Sequence, residues 1–372
     1  MTFLGLIAHN IRAKPLRAAL TAAAVAIGVM AVVALGVLTT SLKETATQIL
    51  KVGSADFTVA QAHTDDIINS NISEADIIEM GKVPGVKQAI GALIQIGTYN
   101  ADNPVVIQVG LAPDAQEPFG VKILRGRSYA AGSSDEVMLG YTLAKQLGLD
   151  VGGTIKFDKD TFKIVGLYST NVSFGNSTVM FPLARLQGMN RLPGQVTLGF
   201  VKVLPGQSIA KVRAAIDKQF PQLTTIQSTA DYGRADRNLT LITAANTGGS
   251  ILAGLIAITG VLNTSLMSFF ERIREFGIYR AVGWTRFRVI WLVLGETLLV
   301  GLGGAILGMF LGWVAINVLQ HLSALQGIFQ PIYEVDVFVR SLIFGVAVAF
   351  IGALYPALRA ASVSPLKAMR NE

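Results

Sequence analysis

Residues 271–292 read ERIREFGIYRAVGWTRFRVIWL, with five arginines and two glutamates among 22 positions. On either side the charge vanishes: Ile251–Phe270 precedes the stretch and Val289–Leu319 overlaps its end and follows it. Two more such runs stand further out, Ala18–Leu38 and Ser341–Leu358. Each approaches or exceeds the roughly 20 residues that an α-helix needs to cross about 30 Å of hydrocarbon. The quoted stretch is therefore the polar connector between two membrane spans of a four-span chain. The third run is longer than one crossing requires, so it is expected to tilt or to emerge.

Composition agrees. Of 372 residues, 51% are hydrophobic and 15% charged, with mean hydropathy +0.51. Soluble domains carry about 25% charged residues, so part of this chain lies in a medium that does not reward charge. Arg12, Lys14 and Arg17 precede the first run, as they would in a signal peptide. That run exceeds the roughly 7–15 apolar residues of a signal core, and an uncleaved span is expected.

The net charge of +7 is uneven. Ser41–Thr247 holds 19 basic and 18 acidic residues, and the other 12 basic residues crowd the ends of the apolar runs. The loop between the last two runs has Glu334 and Asp336 and no Lys or Arg before Arg340. Short basic flanks stay in the cytoplasm. The expected order is a cytoplasmic N-terminal helix and first span (1–40), an extracytoplasmic domain (41–247), a second span (248–270) and a cytoplasmic segment (271–288). A third span (289–319), a short outer loop (320–340), a fourth span (341–358) and a cytoplasmic tail (359–372) follow. Because the charges hug membrane ends, a nucleic-acid partner is excluded, and contact with membrane lipid is expected. The absence of cysteine excludes disulfides, thiolate metal sites and cysteine nucleophiles.

The outer domain reads as mixed α and β. Leu42, Ala46, Ile49 and Leu50 continue the first span as an amphipathic stalk. Asp56–Gln61 is strand-like, and Ser73 with Asp76 forms a capping box. Ala89–Leu111 reads as two strands divided by a turn at Asn100–Pro104. An inserted unit, about residues 118–192, reads as strand, helix, Gly-Gly turn and hairpin. A β-α-β run follows at Gln195–Val203, Ser208–Phe220 and Thr224–Ser228. Asp236–Ala245 is expected to be a second stalk, with Leu239, Ile242 and Ala245 on one face.

Little here can do covalent chemistry. There is no G-x-x-x-x-G-K-[ST], so no phosphate-cradling loop for a nucleotide. His63 beside Asp65 and Asp66 reads as a solvated loop, since metal sites need several convergent ligands; His9 and His321 stand apart. No catalytic, cofactor or metal residues are expected. Glu296 is the one carboxylate inside a span; intramembrane carboxylates are either proton relays or structural partners, and pairing with Arg286, Arg288 or a neighbouring helix is expected. Gly301, Gly304, Gly308 and Gly312 suit a helix-packing face. In the quoted stretch Glu271 is expected to pair with Arg274, and the helix to break near Gly277. Ile278, Val282 and Trp284 then alternate with Arg280, Arg286 and Arg288 on a short surface helix.

That stretch resembles the E-R-x-R-E-[IF]-G-[IL]-x-R-A-[LIV]-G-x-[TS] segment of the FtsX-like permease family. Its members include macrolide-exporter (MacB-type) and lipoprotein-releasing (LolC/LolE-type) subunits of type VII ABC transporters. NIRAKPLRAALTAAAVAIGVMAVVAL resembles the family's basic entry into span one. DEVMLGYTLAKQLGLDVGGTIKFDKDTFKIVGLYS resembles the inserted part of its outer domain, and PALRAASVSPLKAMRNE its closing tail, apart from Met369 in place of leucine. Tyr279 falls at a tolerant position.

The resemblance implies four transmembrane helices plus an α+β MacB-like periplasmic core domain, in the bacterial inner membrane. It makes Glu271, Arg272, Arg274, Glu275, Gly277, Ile278, Arg280, Ala281, Gly283 and Trp284 a coupling helix for a separate ATPase. ATP and Mg would be bound by that ATPase, in two copies, against a homodimer of this chain. The implied work is mechanotransmission: export or extraction of a lipoprotein, lipid, peptide or drug, with an extracytoplasmic adaptor or lipoprotein as a further partner. The alternative is a non-transporting regulator of a cell-wall hydrolase.

Overall fold

The computed structural model describes residues 3–364, apart from Lys51, His63, Asp65, 100–104, Asp158, Thr229, 233–236 and 321–330. The expected Asn100–Pro104 turn, the His63–Asp65 pair, Asp236, His321 and the tail from Pro365 thus lie outside the described residues. The chain divides into two compact units, one of long helices and one, Ser41–Ile242, of mixed α and β.

In the helical unit, α1 (Phe3–Ala13) is followed at once by α2 (Pro15–Leu50), which gives this unit its residues up to Thr40. Pro15 suits the first turn of a helix, where its missing N–H would have no intrahelical partner. Then come α7 (Arg237–Glu271), α8 (Ile273–Ala281), α9 (Arg286–Gln320) and α10 (Val335–Ala361). Four of these helices are long and apolar enough to cross a membrane. Only 22% of the apolar window of α7 is buried within the protein, so its outward residues need a hydrocarbon solvent.

The helices touch through small residues. A Cβ at Gly304 would come within 2.5 Å of the Ala22 carbonyl oxygen, and one at Gly308 within 2.5 Å of that of Ala26. Gly312 abuts Val33 on the same helix, while Gly301 abuts Ala349 of α10. The four glycines therefore form a face on which α2 and α10 approach α9 backbone to backbone.

In the mixed unit the sheet runs β12 (Leu223–Ile226), β1 (Phe57–Gln61), β11 (Leu198–Val203), β3 (Val86–Gly97), β4 (Val106–Leu111), β9 (Thr178–Pro182), β6 (Glu136–Gly140), β8 (Asp160–Ser169) and β5 (Lys122–Gly126). β7 (Thr154–Phe157) pairs with β8, and β2 (Ile72–Ser73) with β10 (Gln195–Val196) in a separate ribbon. Strand β3 is the hinge of the sheet: it pairs with β11 through Ala92 and with β4 from Leu93 onward. At the change of partner, the buried Thr197 hydroxyl accepts from Ile94 N and donates to Ile94 O, so the switch leaves that residue's backbone satisfied.

The expected insertion is thus not a body with its own sheet. Parallel pairing of β4 with β9 joins it to the rest, a contact between distant segments that no local pattern announces. Helices α3 (Glu74–Met80) and α6 (Ile209–Gln219) cover one core against β1, β3 and β11. Helices α4 (Tyr141–Leu147) and α5 (Leu183–Asn190) cover another around Phe157, Phe162 and Phe181. The central core includes Tyr168 and Tyr129, whose burial pushes both phenols up; they remain neutral donors, Tyr129 to the Leu111 carbonyl.

Two local expectations change. Ser73 caps α3 by accepting from Ala75 N, but Asp76 accepts from Gln222 instead of closing a reciprocal box. The stalk of α2 is not a free rod within this unit. Ala46, Ile49 and Leu50 are buried in its central core with Leu42 packed against them, and Leu239 of α7 is buried there too.

Candidate functional site

The helical unit gathers most of its charge at one end. Helix α7 closes at Glu271, Arg272 leaves helical geometry (φ −110°, ψ 15°), and α8 starts at Ile273. The break therefore falls at Arg272, five residues before the expected position. Gly277 lies buried inside α8, where a glycine costs only about 1 kcal/mol and need not end a helix.

A charge network sits at the break. The Arg272 side chain, 7% exposed, turns inward and donates from Nη1 to Glu296 Oε2 at 2.7 Å and from Nε to Glu275 Oε2 at 2.9 Å. Its guanidinium also lies 5.2 Å from the Phe276 ring, while Nη2 has no acceptor among the described residues. Asn10 of α1 donates to the other oxygen of Glu296 at 2.6 Å. Glu296 thus joins α1, the α7–α8 break and α9. Its partner is Arg272, not Arg286 or Arg288.

Glu271 does not pair with Arg274. It accepts from Lys14 Nζ at 2.6 Å and from Arg17, so it ties the start of α2 to the end of α7. Below these polar links, Ile7, Phe269, Phe276, Val289, Leu292 and Ala357 form one apolar cluster that fixes α8 to the helix ends.

The outward face of α8 is different. Ile278 is 46% exposed and Val282 76%, and Phe287, in the first turn of α9, is 67% exposed. Ala281, Arg274, Glu275, Arg286 and Arg288 are exposed beside them. Trp284 is half-buried and stacks on Tyr279 with ring centroids 4.9 Å apart, so it braces the turn and is not a free anchor. Arg280 is also committed inward, donating to the Trp284 carbonyl at 2.6 Å. Gly283 sits at φ +97° with nothing among the described residues within 4 Å of a Cβ added there. Its need within this chain is conformational, because no L side chain is comfortable in that turn. Phe287 escaped the sequence reading because its Arg-Phe-Arg setting reads as a basic flank. The signal was an aromatic placed one turn beyond Gly283.

Among the described residues no group of three or more His, Cys, Asp or Glu is placed to hold a metal ion. What this end of the molecule offers is an apolar and basic surface on a rigidly braced helix.

The MacB-like periplasmic core domain model matches residues 18–219, and the FtsX-like permease C-terminal model matches 248–365. An ABC transporter permease of Methanocaldococcus jannaschii is 24% identical, over 98% of this chain and 96% of its own. The macrolide export ATP-binding/permease protein MacB of Bdellovibrio bacteriovorus is 23% identical over 98% of this chain, which spans 61% of that protein. The crystal structure of the periplasmic region of MacB from Actinobacillus actinomycetemcomitans aligns with TM-score 0.39 and 13% identity, covering 51% of this chain and 96% of that one. With one model matching more than half of its length and a second matching most of the rest, this chain belongs to the FtsX-like permease family, with four apolar spanning helices and a MacB-like periplasmic core domain.

Proposed function

We propose that this protein is the permease subunit of an ABC transporter in the inner membrane, driven by a separate ATPase that docks on α8. The observation that carries the reading is the exposed set of Ile278 on α8, Val282 just after it and Phe287 in the first turn of α9, with Arg274, Arg286 and Arg288 exposed beside them, while Arg272 and Phe276 hold α8 from within. A rigid helix with apolar anchors and a basic rim suits an acidic groove.

In this reading two copies of the chain face two ATPase copies, and ATP with Mg binds only the latter. Closure of the ATPases displaces α8, and α2 and α7 transmit the movement. Each of these helices is unbroken and carries both span residues and outer-domain core residues, Ala46, Ile49 and Leu50 in α2 and Leu239 in α7. The substrate is hydrophobic or amphiphilic, a lipoprotein, lipid, peptide or drug. The match of the MacB-like core across the outer domain supports export over regulation of a hydrolase.

The test is reconstitution with an ABC ATPase from the same cell. Hydrolysis should rise on assembly, and a chain that neither binds nor stimulates that ATPase would refute the reading. Orientation is open to the same material. In intact cells a cysteine placed at Asp135 should react with an impermeant maleimide and one at Arg280 should not. External labelling at position 280 would invert the assignment.

A further inference from the structure

Between α1, α2, α7 and α9 lies a cavity of about 120 Å³, room for several waters or one phosphate-sized group. Within its lining Thr21 Oγ1 donates to Thr264 Oγ1 at 2.9 Å, and a turn away a Cβ on Gly260 would lie 2.9 Å from that of Ala24. Hydroxyls of Thr21, Ser265 and Ser268 line it, together with Lys14, Arg17 and Arg272. We infer that this cavity is a headgroup site for a zwitterionic membrane phospholipid, one whose phosphodiester is followed by a primary ammonium.

Charge carries the first part of the argument. Lys14 and Arg17 both donate to a single oxygen, Glu271 Oε2, so one carboxylate neutralises only half of their charge. Arg272 has the reverse arrangement, one cation shared by Glu275 and Glu296, both of which also line the cavity. With Glu271 counted beside the lining residues the charges sum to zero, leaving one positive charge in excess at Lys14 and Arg17 and one negative charge in excess at Glu275 and Glu296. A phosphate beside an ammonium complements that distribution, whereas a purely anionic group meets two carboxylates that share a single cation. Charge-assisted hydrogen bonds to phosphate are the strong kind, and basic pockets between spans are where headgroups settle.

Position carries the second part. The lining residues alternate with side chains that face outward from the same helices. Leu20 beside Thr21 is 54% exposed, and Met267 and Phe270 around Ser268 are 62% and 66% exposed. In a membrane these are covered by acyl chains, so a headgroup in the cavity continues without a gap into tails on α2 and α7. A water-soluble phosphate has no use for that apolar margin. The inference rests on the membrane-spanning fold alone, so its failure would leave the transport reading standing.

The test is titration of the delipidated full chain with short-chain phosphatidylethanolamine, followed by native mass spectrometry. One lipid per chain should bind. Arg17→Gln should weaken it at least tenfold, and so should Ser268→Leu, which fills the cavity and leaves every ion pair in place. Lys43→Gln, remote from the cavity, should bind as the parent does. Unweakened binding by Ser268→Leu would overturn the site. Equal competition by inorganic phosphate would show a free-anion site instead, and equal or tighter binding of short-chain phosphatidylglycerol would overturn the zwitterionic assignment.

Discussion

Glu296→Ala is expected to destabilise the protein by about 3–5 kcal/mol, the usual consequence of removing one member of a buried ion pair. Arg272 is 7% exposed, and without Glu296 its charge keeps only Glu275, itself 51% exposed. Asn10 loses its acceptor in the same stroke. Glu271→Ala makes the contrast. Its partners Lys14 and Arg17 are 43% and 18% exposed and Glu271 38%, a setting in which solvent screens ion pairs, so stability should stay close to the parent's. The double change Arg272→Met with Glu296→Leu should recover most of the loss, since a well-packed apolar pair often replaces a buried ion pair without cost. Thermal unfolding of the purified variants in detergent checks all three. Parent-like stability of Glu296→Ala would mean that this carboxylate holds nothing together, and would reopen its reading as a proton-relay group.

The second large effect concerns docking. Val282→Asp puts a charge at the centre of the exposed apolar set without touching the braces beneath α8, so the chain should fold and insert as before. Loss of a central anchor costs about 2 kcal/mol, close to a 30-fold fall in affinity for the ATPase. Gly283→Val should uncouple by another route. It forces a β-branched residue to φ +97°, which misplaces Trp284 and the start of α9. Co-purification and stimulated hydrolysis read both. Full stimulation by Val282→Asp would remove α8 from the interface.

How far the sequence reaches is plain in these same residues. The four spans were legible because hydrocarbon demands long apolar runs, but the run and the helix are different objects. The first run stops at Leu38, while α2 continues to Leu50, since amphipathic turns keep their hydrogen bonds as well as apolar ones do. The stalk's period was also legible. Its partner was not, because the core that buries Ile49 and Leu50 is assembled from strands far along the chain. The connector's composition pointed to one short surface helix, but α8 ends at Ala281, and Val282 and Trp284 lie in the turn while Arg286 and Arg288 open α9. Arg272, at the α7–α8 break, finds Glu296 24 residues later, and Glu271 finds Lys14 across 257 residues. Charge pairs of that span leave no periodic trace. The parallel β4–β9 pairing was hidden for the same reason.

In the proposed mechanism the output of this protein is motion, carried by α2 and α7. Its most direct measurement uses a chain that has no native thiol. Cysteines introduced at Lys43 and Thr243 would be oxidised across two copies of the chain in the assembled transporter, and substrate-stimulated ATP turnover followed before and after. Turnover should collapse on crosslinking and return on reduction, with the ATPase itself untouched. Undiminished turnover in a fully crosslinked pair would show that these helices need not move, and would contradict the account.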